Sequence, residues 1–213
     1  MKNKAKLVMI ALAEKYPDIK CGLDADGSPF KLLIMAILSA QCTDKRVNLV
    51  SKELFLRFPT PQSIAESKIG ELEDVIRSVG LFNTKSKNIR NCCKTICENF
   101  DGKVPSGMNE LLSLGGVGRK VANLIRGDVF NLGGIVADTH CIRISGRLGL
   151  ADGKSPQATE KALEKLILLE MQSDFCHRIV VFGRETCKAQ SPCCDNCFLK
   201  KLSLCDYEYL KKD

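Results

Sequence analysis

The sequence predicts an all-α protein. Helix start and stop signals recur along all 213 residues, whereas the two-residue alternation typical of a half-buried strand is nearly absent. Counting these signals gives about ten helices. Hydrophobic residues make up 45% of the chain, which is enough to build a packed core at this length.

The first residues, MKNKAKLVMIALAEKYP, allow two interpretations. A basic start followed by an apolar run can indicate a signal peptide. Here the run from Leu7 to Ala13 is at the lower limit for such a segment, and Glu14 and Lys15 follow it at once. We therefore expect an amphipathic first helix. The apolar run at 32–38 is far too short to span a bilayer, so we expect no membrane association.

Capping residues mark where many of the other helices begin. Ser, Thr, Asn and Asp side chains accept hydrogen bonds from the free N–H groups of a first helical turn. Six such positions precede helical patterns: Ser28, Thr43, Asn83, Ser106, Asp138 and Ser155. Proline follows two of them, at 29 and 156, as is common at the first helical position. Ser106 is expected to open a short helix over 107–113.

A glycine-rich turn, LGGVGRK at 114–120, separates that short helix from the next one. It is not a P-loop, because Arg119 rather than glycine precedes Lys120 and Val121 rather than Ser or Thr follows it. A dinucleotide-binding turn would need a preceding strand and a third glycine at 121. Two interpretations remain. The turn is either an ordinary helix–helix corner or a hairpin whose second helix holds a backbone phosphate on its free N–H groups.

The charge balance favours a polyanionic partner. The chain has 32 Lys and Arg against 25 Asp and Glu, which gives a net charge of +7. Such an excess is typical of nucleic-acid-binding proteins, although many moderately basic proteins have no such partner. Charge alone therefore leaves the question open.

Twelve cysteines are present, and five of them lie within 187–205. A terminal cluster of this kind is typical of a metal centre in a reducing compartment, whereas disulfide frameworks belong to small secreted chains. Four thiolates without a histidine suit an iron–sulfur cluster or an all-cysteine zinc site. The candidate ligands are Cys187, Cys194, Cys197 and Cys205. Only one CxxC pair is present, so the two paired knuckles of a zinc ribbon are missing.

Taken together, these motifs resemble those of the helix-hairpin-helix DNA glycosylases of the endonuclease III type. The resemblance rests on LGGVGRKVAN, on ADTH with its aspartate eighteen residues after the lysine, and on the cysteine cluster. It extends to LSAQCTDKRVN at 38–48 and GLFNTKSKNI at 80–89, and so covers nearly the whole chain.

The resemblance implies two catalytic residues, Lys120 and Asp138. In this family an unprotonated lysine attacks the sugar of a damaged nucleotide, displaces the base and forms a Schiff base, and β-elimination then nicks the strand. The aspartate favours the cationic sugar that develops as the base departs. The alternatives are a solvated lysine near a helix N-terminus and an aspartate that serves only as a cap.

The resemblance also implies a set of DNA-contacting residues. An enzyme that acts on a stacked base must extrude it and fill the space left behind. Two residues align with the pair that fills this space, Gln41 and Leu81, although Leu81 could also be an ordinary core residue. The remaining expected contacts come from the hairpin and from the ADTH motif: Gly116, Gly118, Arg119 and His140.

For the cysteines, the resemblance implies a [4Fe-4S] cluster that is structural and positions a basic loop against DNA. Two departures stand out. The family has five residues before its fourth cysteine whereas seven precede Cys205, and Cys193 lies beside Cys194 as a competitor. We assign Cys194 because it keeps both the six-residue gap and the CxxC. Smaller departures are Gly115 for the usual proline, Val121 for threonine and Ala137 for valine.

The expected architecture is a two-lobed helix-hairpin-helix DNA glycosylase fold. Residues 22–132 would form a helical barrel that carries the hairpin. Residues 1–21 and 133–213 would form an iron–sulfur domain, with the cluster loop at 187–205.

The expected function is that of a bifunctional DNA glycosylase and AP lyase of base excision repair. It would remove oxidised pyrimidines, of the thymine glycol type, from duplex DNA and cleave the abasic site. The alternatives are a monofunctional glycosylase of the same superfamily and a non-catalytic DNA-binding module with a four-cysteine metal site. The partner would be double-stranded DNA with damaged bases or abasic sites. We expect a cytoplasmic monomer, associated with the nucleoid when bound to DNA.

Overall fold

The computed structural model describes residues 1–208, and this part of the chain is helical without any strand, which confirms the all-α prediction. Short 3₁₀ turns lie at Arg77–Val79, Leu169–Met171 and Cys194–Asn196. The α-helices are α1 (Lys2–Lys15), α2 (Pro29–Leu38), α3 (Asp44–Arg57), α4 (Pro61–Ala65), α5 (Glu71–Ile76), α6 (Phe82–Asn99), α7 (Met108–Leu112), α8 (Arg119–Asp128), α9 (Thr139–Arg147), α10 (Pro156–Glu164), α11 (Gln172–Glu185) and α12 (Phe198–Lys201).

Four of the predicted caps are confirmed. In each, the side-chain oxygen accepts a hydrogen bond from the backbone N–H three residues later, which satisfies one donor of the first turn. These caps are Ser28 on α2, Thr43 on α3, Asp138 on α9 and Ser155 on α10.

The other two predicted caps are wrong. α6 begins one residue before Asn83, because Leu81 takes a left-handed conformation (φ 50°) and occupies the N-cap position. α7 begins after Gly107 rather than Ser106, because the Glu110 carboxylate accepts a hydrogen bond from the Gly107 N–H at 3.1 Å. A left-handed residue thus stands in place of the Asn83 cap, and a side chain from within α7 stands in place of the Ser106 cap.

The chain divides into two compact units, one from Cys21 to Phe130 and the other from Met1–Lys20 together with the residues from Asn131 onward. The first unit packs around α2, in which all seven residues at 32–38 are buried. This explains why α2 is apolar on every side. α6 packs along α4 and α5, and the bidentate ion pair of Arg90 with Glu73 joins α6 to α5.

The second unit builds a core from distant parts of the chain. Val8 and Leu12 of α1 lie in one buried cluster with Ile144 of α9 and with Ile179 and Phe182 of α11. The Phe182 ring also contacts the ring of Phe198 edge to face. Because α1 supplies part of this core, it is a structural helix of the unit. Between residues 1 and 208, no helix combines the length and the apolar character needed to cross a membrane.

Candidate active site and metal centre

The glycine-rich turn forms a helical hairpin between α7 and α8. The N–H of Leu114 bonds to the carbonyl of Leu111, and the N–H of Val117 bonds to the carbonyl of Leu114, so the turn is tightly wound. Gly116 has φ 78°, a left-handed value that favours glycine. Gly118 is the N-cap of α8 and carries no side chain to cover the free N–H groups of the first turn. The positive end of α8 is therefore available to an anion.

The hairpin packs against α6 at very short range. A Cβ atom on Gly115 would lie 2.7 Å from the carbonyl oxygen of Asn88 and 3.1 Å from the backbone nitrogen of Cys92. A Cβ atom on Gly116 would lie 2.9 Å from the Cβ of Asn88. Glycine at both positions thus permits a backbone approach that any larger residue would prevent. This close approach fixes the hairpin against α6 and the core of the unit.

Lys120 is the second residue of α8, and its side chain is exposed. Arg119, the first residue, is exposed as well. The structure therefore places two basic side chains at the N-terminal turn of α8, next to Gly116 and Gly118. A phosphate bound at this turn would lie close to both cations.

Asp138 caps α9 by accepting a hydrogen bond from the N–H of Cys141 at 2.7 Å. The cap fixes the direction of the carboxylate, and the residue is half-buried. His140 follows in the first turn of α9, and its Nδ1 lies 3.2 Å from the Arg143 guanidinium. A guanidinium only donates hydrogen bonds, so Nδ1 is the acceptor in this contact.

Gln41 and Leu81 share an unusual backbone conformation. Both are non-glycine residues in the left-handed region, with φ of 53° and 50°. Both side chains are exposed, and Leu81 has 57% of its surface open to solvent. Left-handed residues with side chains are costly and cluster at functional sites. The alternative of an ordinary core residue at 81 is therefore excluded.

The four predicted cysteine ligands line a single cavity. Its lining includes Cys187, Cys194, Cys197 and Cys205, together with Cys193 and Arg147. Cys197 is buried, whereas Cys193 is exposed. The donor set is one of soft thiol ligands, which suits iron–sulfur clusters and zinc.

The burial of the thiols bears on whether an iron–sulfur cluster suits this cavity. Burial raises the pKa of the Cys187 and Cys197 thiols, so these groups require a strongly electropositive partner to act as thiolates. An iron–sulfur cluster meets this requirement, and the all-thiol donor set matches its ligand preference.

Two arginines that the sequence analysis missed hold the cysteine loop. Arg147 of α9 donates hydrogen bonds to the Cys187 Sγ at 3.3 Å and to the carbonyls of Lys188 and Ala189, and its guanidinium lies over the Tyr207 ring. One turn earlier, Arg143 donates to the Cys187 carbonyl at 2.9 Å. The available signal was two arginines four residues apart on one helix face, shortly after the Asp-Thr-His motif.

The hairpin and the all-helical fold define a helix-hairpin-helix protein, and comparison with known families places it more narrowly. The profile of the family described as "HhH-GPD superfamily base excision DNA repair protein" matches residues 34–168. Among curated relatives, Endonuclease III of Synechocystis sp. is 43% identical, with 94% of this chain and 92% of the relative aligned. Endonuclease III of Escherichia coli K12 is 36% identical, with 97% of each chain aligned.

Comparison with solved structures points to the same family. A structure of a non-covalent Endonuclease III–DNA complex superposes with a TM-score of 0.88 at 42% identity, and covers 97% of this chain and 95% of that one. A thermostable thymine-DNA glycosylase has a TM-score of 0.84 at 21% identity, which shows the shared fold. The chain belongs to the endonuclease III family of the HhH-GPD superfamily, and it is a bifunctional DNA glycosylase and AP lyase of base excision repair.

Proposed function

We propose that this enzyme removes oxidised pyrimidines of the thymine glycol type from duplex DNA and cleaves the resulting abasic site through Lys120. The observation that carries the proposal is the placement of Lys120, which is exposed in the first turn of α8 directly after the glycine hairpin. A hairpin that holds a DNA phosphate on the N-terminus of α8 would bring the sugar next to this amine.

The chemistry assigned to Lys120 is nucleophilic catalysis. The amine forms a bond to the sugar C1′ while the bond from C1′ to the base breaks, and the base leaves with a proton. Opening of the sugar ring gives a Schiff base between the lysine and C1′. Loss of a C2′ proton then expels the 3′ phosphate by β-elimination, which nicks the strand. Water releases the lysine from the product.

The role assigned to Asp138 is electrostatic. As the base departs, positive charge develops on the sugar, and a fixed carboxylate favours that charge because its position needs no reorganisation. The cap bond from the Cys141 N–H supports this role, since it holds the carboxylate in one direction. Capping and catalysis are thus compatible in one side chain.

The residues around these two groups are assigned to DNA binding. Gly116, Gly118 and Arg119 would hold the backbone phosphate at α8. Gln41 and Leu81 would enter the duplex and fill the space of the extruded nucleotide, as supported by their exposed, left-handed positions. His140 would contact DNA from the start of α9.

The cofactor that we propose is a [4Fe-4S] cluster held by Cys187, Cys194, Cys197 and Cys205. The all-thiol donor set around one cavity supports it. When bound, the cluster would supply a rigid cross-link of the C-terminal loop rather than reaction chemistry. A cysteine-rich chain with such a cofactor belongs in a reducing compartment, so we place the enzyme in the cytoplasm.

Borohydride trapping tests the two catalytic assignments together. Borohydride reduces a Schiff base to a stable amine, so a duplex with one thymine glycol should become covalently attached to the wild-type enzyme, at Lys120 by peptide mapping. Lys120→Gln should give no adduct while it still binds the duplex. Lys94→Gln, an exposed lysine in the middle of α6, is the matched control and should trap like wild type.

Asp138→Asn separates the cap from the charge, because asparagine caps helices as well as aspartate does. Base release should slow by about 10²- to 10³-fold, while a duplex that already contains an abasic site is still trapped.

Normal trapping by Lys120→Gln would refute the lysine assignment. Base release without any adduct in the wild type would support a monofunctional glycosylase, and duplex binding without base release would support a DNA-binding module.

A further inference from the structure

Lys85 of α6 is a buried lysine whose ammonium binds the chain two residues before the exposed Leu81. Only 4% of its surface is open to solvent, and its Nζ donates a hydrogen bond to the Val79 carbonyl at 3.0 Å. Burial of an ammonium group is costly, and a Met or Leu of similar size would fill the same space without that cost. The cost suggests that the amine has a task beyond packing.

Lys85 bonds to two carbonyls of this segment, one immediately before Gly80 and one on Leu81 itself. Its side chain binds the carbonyl of Val79, immediately before this pair, while its backbone N–H binds the carbonyl of Leu81 at 3.0 Å. Both enclosed residues are left-handed, with φ of 71° for Gly80 and 50° for Leu81. One residue thus fixes both ends of the segment that presents the exposed leucine.

The surroundings of the ammonium explain its preference for this carbonyl. Val79 ends the 3₁₀ turn that continues α5, so its carbonyl lies at the negative end of that helical segment and favours a cation. Burial lowers the pKa of Lys85, and the nearby Cys42 thiol opposes that effect.

We propose that Lys85 is a positioning residue that holds Leu81 in its left-handed, exposed conformation, so that the leucine can enter the duplex when a nucleotide is extruded. The inference rests on the proposed function, in which Leu81 fills the vacated space. Without the bond to Val79, Leu81 would relax toward a right-handed or extended conformation, which is favoured for residues with a side chain. The leucine would then withdraw from its exposed position.

The test uses a duplex with a tetrahydrofuran abasic analogue and 2-aminopurine in the opposite strand. The analogue cannot form a Schiff base, so the signal does not depend on Lys120. Fluorescence of 2-aminopurine rises when the base is unstacked, and wild type should give a large increase on binding. Lys85→Met should bind the analogue about fivefold more weakly, with a much smaller fluorescence increase, because the left-handed segment is no longer held.

Three variants separate positioning from general damage to the fold. Lys87→Met removes an exposed lysine of the same helix and should behave as wild type. Lys85→Arg keeps a donor of sufficient length and should recover most of the signal. Leu81→Ala should lose the signal, and the double variant with Lys85→Met should be no worse than Leu81→Ala alone, because the two changes act through one side chain. If Lys85→Met does not fold, Lys85→Gln, which is too short to reach the carbonyl, replaces it.

The outcomes distinguish this inference from the function on which it rests. A lost signal in Leu81→Ala with a normal signal in Lys85→Met would overturn the role of Lys85 and leave the role of Leu81 intact. A normal signal in Leu81→Ala would overturn both. Independent, additive losses would also overturn the inference, because they would show that Lys85 does not act through Leu81.

Discussion

The two units hold their candidate functional segments by different means. The glycine hairpin of the unit at 21–130 contributes Leu111, Leu114 and Val117 to the same buried cluster as α2 and α6. The cysteine loop at 187–205 has only one 3₁₀ turn and the four-residue α12. It is held by hydrogen bonds from Arg143 and Arg147 of α9. Both segments therefore contribute to a buried core, since Cys197, Leu199 and Leu204 of the loop belong to the cluster of the second unit. The loop differs in having less regular structure and in being tied by two arginine side chains.

This difference indicates what each segment needs in order to work. The hairpin presents Lys120 as soon as the core around it has folded. The loop carries thiols whose pKa is raised by burial, and such groups become ligands only when a metal replaces their protons. The hairpin depends on packing alone, whereas the loop combines packing with thiols that would hold the proposed cofactor. Substitutions in each unit can test this contrast.

The largest expected effect is the loss of the proposed cluster in Cys194→Ser. Removal of even the outer partners of metal ligands lowers metal affinity by about 10- to 100-fold, so loss of a direct thiolate should weaken binding by at least that factor and leave the purified variant depleted in iron. Cys193→Ser is the matched control, because the neighbouring side chain is exposed and we assign it no ligand role. Iron analysis and visible absorbance of the purified variants provide the measurement.

The same pair of variants sharpens the contrast between the units. Circular dichroism of Cys194→Ser should retain most of its helical signal, since the core at 21–130 does not depend on the loop. If Cys193→Ser loses iron and Cys194→Ser keeps it, the ligand is assigned to the wrong neighbour. Equal loss in both would show that the pair acts together.

The second prediction concerns the partly buried ion pair that joins α6 to α5 in the unit at 21–130. Arg90 donates two hydrogen bonds to Glu73, at 2.6 and 2.9 Å, and each side chain is only 14% exposed. The guanidinium holds the pKa of Glu73 well below its ordinary value of 4.5. Glu73→Gln should lower the free energy of unfolding by about 2–3 kcal/mol at neutral pH, because Arg90 is left without its charge partner.

The pH dependence of this loss has a definite sign. A depressed folded pKa gives stability that is fully present above the unfolded value, near 4.5, and is lost as the pH falls toward the folded value. The difference in the free energy of unfolding between wild type and Glu73→Gln should therefore shrink below about pH 4.5. Asp74→Asn is the control, since the Asp74 and Arg77 side chains are each 64% exposed and should contribute within about 0.5 kcal/mol. A difference that persists unchanged into acid would contradict the ion-pair explanation.

The parts of the fold that depend on neighbouring residues could be predicted from the sequence. Ser28, Thr43 and Asp138 cap their helices as expected, because a cap needs only its own side chain and the next three residues. The start of α6 could not be predicted in this way. It depends on a left-handed Leu81. The Lys85 side chain bonds to the Val79 carbonyl, six residues earlier and two residues before this leucine.

The support of the candidate metal centre was also beyond sequence reasoning. The cysteine spacing identified the four residues around the cavity, since soft ligands in a short segment are a local signal. Arg147, in contrast, binds Cys187 across forty residues. The four-residue spacing of Arg143 and Arg147 places both on one face of α9, but it does not indicate which distant segment they bind. Long-range contacts of this kind depend on how the helices pack.

The smallest expected effect concerns Gly115, where the family usually has proline. Its Cβ position lies within 2.7 Å of the Asn88 carbonyl oxygen, and this backbone atom of α6 cannot move aside as a side chain could. Gly115→Ala should therefore cost about 1–3 kcal/mol of stability through overpacking. Gly118→Ala, whose Cβ would meet nothing within 4 Å, should cost at most about 1 kcal/mol as a weaker N-cap.

Chemical denaturation of the two glycine variants measures this difference directly. A larger loss in Gly115→Ala than in Gly118→Ala would show that the hairpin is clamped onto α6 by close backbone approach. Equal and small losses would mean that the hairpin can shift away from α6 at little cost. In that case the rigid presentation of Lys120 would depend on the buried Leu111, Leu114 and Val117 alone.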